Sequence, residues 1–322
     1  VHRLRIAAID FLNPAPLMWN FEHPPEAERL RTRYSIHKMT PAECAQQLRA
    51  GDADIGLIPI AAYATIPGLA IVPGCTIASL GAIRSILLIV RATGDFQPDD
   101  RHAAIPPSSL FSRHPAPASA TDPDLVTPAA LHDLRQVETV ALDTASRTSA
   151  MYTRILFARY WQHCPRCVPH AADLDAMLAT ADAALLIGDP ALHALEHRQA
   201  RQKRTGERLH YLDLGAAWRA QTGLPWVSAF WAVRSQSLAS PEAARHLTAD
   251  CIASRDAGLA HIPALAEQWC ASLHLPRQTI ETYLGHNIHY LLDDPCLRGI
   301  AGFYEDAASC ELISQPPPLV FL

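Results

Sequence analysis

The chain has 322 residues, is 49% hydrophobic and 18% charged, and carries a formal net charge of −5. Such a length and composition suit two globular lobes with ample core, and exclude collagen-like, disordered, coiled-coil and small disulfide-scaffold classes. The charge balance leaves no bulk basic field for nucleic acid or an anionic membrane, and no apolar run reaches the ~18 residues of a membrane span.

The first residues, VHRLRIAAIDFLNPAPLMW, begin basic, but Asp10, Asn13, Pro14 and Pro16 interrupt the apolar stretch. A secretory core needs ~7–15 uninterrupted apolar residues, so Leu4–Ile9 reads as a buried strand and the expected location is the cytoplasm. Asp10-Phe11-Leu12-Asn13-Pro14 follows that strand, where an open α/β sheet places its ligands. Asn13 offers a donor and an acceptor there, and equally fits an Asx-type turn or a helix cap.

Strand Tyr34–Lys38, helix Pro41–Ala50, strand Ile55–Ile58 and helix Pro59–Thr65 come next. Thr40 is placed to cap the first of these helices, with Pro41 in its first turn and Glu43 at the third position. A Gly-containing turn, Ile77 to Ser85, then leads into the strongest apolar strand, Ser85–Val90. Ser79, Arg84 and Ser85 can each meet a carboxylate. The alternatives are turn capping for Ser79, a surface ion pair for Arg84 and a strand-end hydrogen bond for Ser85. Period-2 alternation sends Arg84 and Ser85 to opposite faces.

Gln97 to Pro128 holds seven Pro among Ser, Ala, His and Asp. A segment of that composition cannot bury enough surface to fix itself, and an inserted, poorly ordered loop is expected. Strand Thr139–Leu142 follows, then Asp143-Thr144-Ala145-Ser146-Arg147-Thr148-Ser149, then helix Thr148–Trp161. Free N–H groups, hydroxyls and the positive dipole end make such a helix start an anion site. Its hydroxyls exceed what one cap needs.

His163-Cys164-Pro165-Arg166-Cys167, with His170 behind it, fits either Zn²⁺ or a loop with two free thiols. The second is favoured because no further C-x-x-C follows. The other six of the eight Cys are isolated, as in a protein that keeps its thiols reduced. Helix Leu174–Ala181 and strand Ala183–Ile187 lead to Gly188-Asp189-Pro190, where Asp189 either caps helix Pro190–Gln199 or lines a cleft. His193-x-x-Glu196-His197 matches an inverted zinc-protease pattern but lacks an evident third acidic ligand. The basic stretch Arg198–Arg208 reads as a solvated helix end and loop. Strand Tyr211–Leu214, helix Ala216–Gln221 and strand Ser228–Val233 close the alternation, which argues α/β architecture with mainly parallel pairing. Only helices follow: Pro241–Ser254, Ile262–Leu273, Arg277–Tyr290 and Arg298–Ser309. Dinucleotide, P-loop and nucleophile-elbow glycine motifs do not occur.

Six blocks occur in order: F-L-N-x-x-P-L, T-P-x-E-x-A-x-x-L-x-x-G-x-x-D-I-G-L-I-P, I-A-S-x-G-x-x-R-S-x-L-L, V-A-L-D-T-x-S-R-T-S, A-D-A-A-L-L-I-G-D-P-A-L and D-L-G-x-x-W-R-x-x-T-G-L-P-W-V-x-A-x-W-A. Together they resemble the chorismate dehydratase family of the futalosine route to menaquinone, strongly from Arg5 to about Val233 and weakly beyond. The 97–128 and 198–208 segments look like additions to the family pattern. The resemblance implies an α/β, two-lobed fold like type II periplasmic binding proteins, with a helical C-terminal part. Residues 1–89 and 234–322 would form one lobe and 90–233 the other, with the ligand between them.

It also implies loss of water from chorismate to give 3-[(1-carboxyvinyl)oxy]benzoate, with no metal or organic cofactor. Asn13 and Ser85 match the family's polar positions implicated in that step. The Ser146–Ser149 run, with Arg147 and Thr148, matches its carboxylate-binding helix terminus. Ser79, Thr144 and Asp189 complete the expected substrate contacts. These motifs contain no His, Glu or Cys base, so the substrate's enolpyruvyl carboxylate is the expected proton acceptor. The expected partner is the small molecule alone, with neither nucleic acid nor membrane. The alternatives are a solute-binding protein for an aromatic carboxylate, since the fold is shared, the sister enzyme making 1,4-dihydroxy-6-naphthoate, and a sensing protein without activity.

Overall fold

The computed structural model describes residues 3–93 and 132–322, so the expected loop at 97–128 lies outside the described residues. In chain order the strands are β1 (Leu4–Ile9), β2 (Tyr34–Met39), β3 (Ile55–Pro59), β4 (Leu69–Ser79), β5 (Ile86–Arg91), β6 (Thr139–Asp143), β7 (Arg166–His170), β8 (Ala183–Ile187), β9 (Leu209–Asp213) and β10 (Trp226–Arg234). The helices of the first part are α1 (Ala15–Glu22), α2 (Glu26–Leu30), α3 (Pro41–Ala50) and α4 (Ile60–Tyr63). The middle holds α5 (Arg147–Ile155), α6 (Leu174–Thr180), α7 (Gly188–Glu196), α8 (Arg198–Thr205) and α9 (Leu214–Thr222). The last part is α10 (Pro241–Ala260), α11 (Ile262–Leu273), α12 (Arg277–Thr282) and α13 (Asp294–Ser309). Single π-helical turns extend α5 (Leu156–Tyr160) and α12 (Tyr283–Asn287).

Two five-stranded sheets result, ordered β2-β1-β3-β10-β4 and β7-β6-β8-β5-β9. In the first, β1 runs parallel to β2 and β3, while β10 is antiparallel to both its neighbours. In the second, β6 is parallel to β7 and β8, while β5 is antiparallel to β8 and β9. The pairing is therefore mixed rather than mainly parallel. The antiparallel strands are the two at which the chain changes sheet. The expected boundaries at 89/90 and 233/234 fall inside β5 and β10. A strand pairs along its whole length, so β5 belongs entirely to the second sheet and β10 entirely to the first.

Local chemistry fixes most elements. Helix α3 starts with a capping box, in which Thr40 Oγ accepts from the Glu43 N–H (3.3 Å) and the Glu43 carboxylate accepts from the Thr40 N–H (2.8 Å). It stops at Gly51, which takes the left-handed conformation at φ +83°. Strands β3 and β8 are buried along their whole length, as expected of central strands covered on both faces. Asp54, just before β3, holds the Arg5 guanidinium of β1 at 3.0 Å. Burial opposes its charge, but the Arg5 and Ser237 hydrogen bonds prevail and bring its pKa down to about 2.

One hydrophobic core runs through both sheets, with Ile6, Ile58 and Phe230 from the first and Leu88, Val140 and Leu185 from the second. Tyr152 of α5 is wedged into it, stacked on Trp226 of β10 with ring centroids 3.7 Å apart and 4.4 Å from Phe303 of α13. A smaller cluster fills the far side of the second sheet, where Leu87, Ile89 and Leu186 meet Met177 and Leu195. Among the described residues, no helix is long and apolar enough to cross a membrane.

Candidate active site

A narrow cleft, with a cavity volume of about 40 Å³, opens between the two sheets at the ends of their strands. Its walls are apolar, from Ile9, Ile77, Ile86 and Ile187, and its polar groups are Asn13, Ser85, Ser146, Ser149 and Ser228. No charged side chain lines it among the described residues.

The turn after β1 brings in Phe11 and Asn13. The Asn13 carbonyl accepts from the Tyr290 hydroxyl (2.9 Å). Its side-chain Oδ1 is buried and has no partner among the described residues. An orphaned buried acceptor on a cleft calls for a ligand group, because leaving it bare costs roughly 1–3 kcal/mol. Ser85 precedes β5 and is 1% exposed. Its Oγ accepts from the Tyr283 hydroxyl at 2.7 Å, and its carbonyl accepts from the Gly188 N–H at 2.7 Å. Gly188 sits at φ +62°, and a Cβ there would lie 2.9 Å from the Phe11 ring of the opposite half. Only glycine permits so close an approach of the two walls.

Ser146 caps α5. Its Oγ accepts from the Ser149 N–H (3.2 Å) and its hydroxyl donates to Ser149 Oγ (3.1 Å). Both therefore stand at the positive end of a helix, facing the cleft. Ser228 accepts from the Trp226 indole N–H (2.9 Å).

The structure gathers Asn13, Ser85, Ser146 and Ser149 on one cleft, and puts the other expected contacts elsewhere. Ser79 closes its own turn, donating toward the Gly81 and Ala82 carbonyls (3.1 and 3.2 Å), because its buried hydroxyl needs a local partner. Thr144 and Arg147 are exposed, on the solvent side of the helix start. Thr148 is buried, and its Oγ accepts from the Ala61 N–H (3.0 Å), satisfying the first turn of α4 in the other half. Asp189 neither caps α7 nor lines the cleft. It accepts from the Leu12 N–H across the two halves (3.0 Å). Burial pushes its carboxyl up to about 6, opposed by the Leu12 hydrogen bond and helped by the charge of Asp10. Arg84 lies before the strand at φ +68°, so the alternation argument does not apply to it. Its N–H and that of Ile83 donate to Asp213 (2.6 and 3.1 Å), which also caps α9 through the Ala216 N–H.

Sequence reasoning missed Tyr283, Tyr290 and Ser228. The available signal was two tyrosines seven apart, since a buried phenol needs a polar partner. Among the described residues, neither metal pattern of the sequence gathers its ligands. Cys164 is exposed, Cys167 contacts the Pro165 carbonyl and His163 the Val137 carbonyl. His193 and His197 stack with centroids 4.1 Å apart, and Glu196 accepts from Thr279 (3.3 Å). Among the described residues one group of ligand-type side chains is gathered, His289, Asp293 and Cys296. There Asp293 caps α13 and lies 3.0 Å from His289 Nε2.

Residues 4–110 and 121–309 match the family model for menaquinone biosynthesis. A chorismate dehydratase of Thermus thermophilus is 31% identical over 174 residues, which covers 52% of this chain and 61% of that protein. This chain thus aligns with about three-fifths of the length of that curated relative. An Archaeoglobus fulgidus protein has a similar structure, with TM-score 0.65 at 15% identity, covering 97% of this chain and 99% of its own. The periplasmic aliphatic sulphonate binding protein of Escherichia coli follows, with TM-score 0.59 at 13% identity, covering 100% and 94%. The two-lobed fold is that of the periplasmic binding proteins.

Proposed function

The chain belongs to the menaquinone biosynthesis family, and from that premise we propose that it is a chorismate dehydratase, converting chorismate to 3-[(1-carboxyvinyl)oxy]benzoate and water. One observation carries the reading. The unpartnered Asn13 Oδ1 and the hydroxyls of Ser85, Ser146 and Ser149 converge on one cleft with apolar walls and no charged side chain among its described lining residues.

Chorismate is a small dianion with a ring to be held and a hydroxyl to be lost. The isoleucine walls suit the ring. The capped start of α5, with its N–H groups and two serines, suits a carboxylate. Asn13 and Ser85 stand on the other walls, where the leaving hydroxyl or the second carboxylate would lie. The reaction balances without any protein group changing state. The enolpyruvyl carboxylate takes the C3 proton, and the electron pair moves into the ring diene toward the ring carboxylate. The C4–O bond then breaks and the ring becomes aromatic. The departing hydroxide recovers the proton and leaves as water. The protein's work is to orient the carboxylate over C3 and to hydrogen-bond the departing oxygen, which preorganised neutral donors do well in a dry cleft.

The test is single-turnover kinetics on folded variants. Asn13→Ala and Ser85→Ala should each slow product formation by roughly 10²–10³-fold, the usual cost of one preorganised polar contact to a transition state. Near-normal rates in both variants would refute the assignment. A limb near neutral pH in the rate profile that persists with modified substrates would replace the substrate carboxylate by a protein base.

A further inference from the structure

We propose that Tyr283 is a positioning residue that aims the Ser85 hydroxyl proton into the cleft, at the oxygen that leaves. This assignment rests on reading the cleft as that of a dehydratase.

Tyr283 lies in the π-helical turn Tyr283–Asn287, in the helical part that follows β10. Such turns widen a helix locally and recur at functional sites. The side chain is 1% exposed, and its hydroxyl is 2.7 Å from Ser85 Oγ. No other acceptor meets that phenol among the described residues. A buried phenol proton must go somewhere, so it goes to Ser85. Burial also holds the phenol far above its usual pKa, which keeps it a donor at any working pH. Ser85 is then an acceptor on its protein side. Its single proton is left for the cleft that it lines. Accepting one hydrogen bond strengthens the one it donates.

The neighbouring residues serve the same end. Asn287 Nδ2 donates to the Ala82 carbonyl (3.0 Å) and steadies the segment leading into Ser85. Tyr290 donates to the Asn13 carbonyl (2.9 Å). One short stretch after β10 thus supports both residues proposed to act on chorismate, and reaches Ser85 from the opposite half.

A double-mutant cycle with chorismate tests this. Tyr283→Phe should lower kcat about tenfold, the cost of one oriented hydrogen bond, with KM changed less than twofold. In a Ser85→Ala background the same change should add nothing, because Tyr283 acts through Ser85. A merely structural role predicts equal losses in both backgrounds, or a loss confined to KM, and either overturns the proposal. Should Tyr283→Phe fail to fold, Tyr283→3-fluorotyrosine keeps the shape and alters donor strength. A kcat shift that vanishes without Ser85 supports the proposal, and no shift refutes it. Absence of turnover by the unmodified protein defeats the dehydratase reading and this assignment with it. Turnover with additive losses defeats this assignment alone.

Discussion

The Asp189 carboxylate is held between the two halves by one hydrogen bond, from the Leu12 N–H, and the charge of Asp10 works against it. Burial is the main reason its pKa rises to about 6, against about 3.9 for an unfolded aspartate. Between those values the folded state binds more protons than the unfolded one, so this group's contribution to stability falls as pH rises. Asp189→Asn keeps an acceptor for Leu12 and removes the charge. Its stability relative to the unmodified protein should therefore improve by about 2–3 kcal/mol between pH 4 and pH 7. Urea melts at the two pH values check this, and a constant difference would contradict it. The same residue shows what sequence leaves open. Strand-then-turn and helix-start patterns marked Asn13, Ser85 and the Ser146–Ser149 run as candidates beside Ser79 and Arg84, and the family resemblance made the choice among them. They did not reveal that a backbone N–H from the other half already occupies Thr148 and Asp189. Residue type and position are local facts, whereas a competing partner 87 or 177 residues away is not.

At the scale of elements, two helices were legible to the residue: α3, with its capping box, and α11, with Pro263 in its first turn, match the expected Pro41–Ala50 and Ile262–Leu273. Strand β4 was missed because Pro73-Gly74 reads as a turn. The strand passes through it with Gly74 at φ +83° and a register shift against β10. Strand β7 was missed because Arg166–His170 is polar and contains Pro169, which an edge strand tolerates. Helix α1 was hidden by Pro14 and Pro16, which here open a helix rather than break one. The link from β4 to β5 depends on a residue far away. Asp213 caps α9 and also takes the Ile83 and Arg84 N–H groups. Asp213→Ala loses the cap and strands two further donors, and should cost about 3 kcal/mol or more. Asp213→Asn, which keeps an acceptor, should lose less. Denaturant melts on both decide this, and equal small losses would show that the link is held by other contacts.

The whole molecule is two sheets that share one core. Tyr152 on Trp226 and Phe303, Thr148 on Ala61, and Tyr283 on Ser85 all tie the second half to the first. Scanning calorimetry should accordingly give one transition, with calorimetric and van't Hoff enthalpies equal. Two resolved transitions would mean that these contacts do not couple the halves. The division of labour also becomes clear at this scale. Strand ends and one helix start supply the polar groups, and the late helical part braces them. The sequence blocks pointed to the first and were silent on the second, because the brace is made of single tyrosines whose partners lie 198 and 277 residues away.

As a dehydratase, the cleft would turn chorismate over rather than merely hold it. The direct measurement mixes purified, chelator-treated protein with chorismate and follows the product by chromatography and ultraviolet absorbance beside a protein-free control. Rapid, catalytic appearance of 3-[(1-carboxyvinyl)oxy]benzoate is the expected result. Saturable binding of chorismate with no product would contradict this and make the protein a binding protein for cyclic carboxylates.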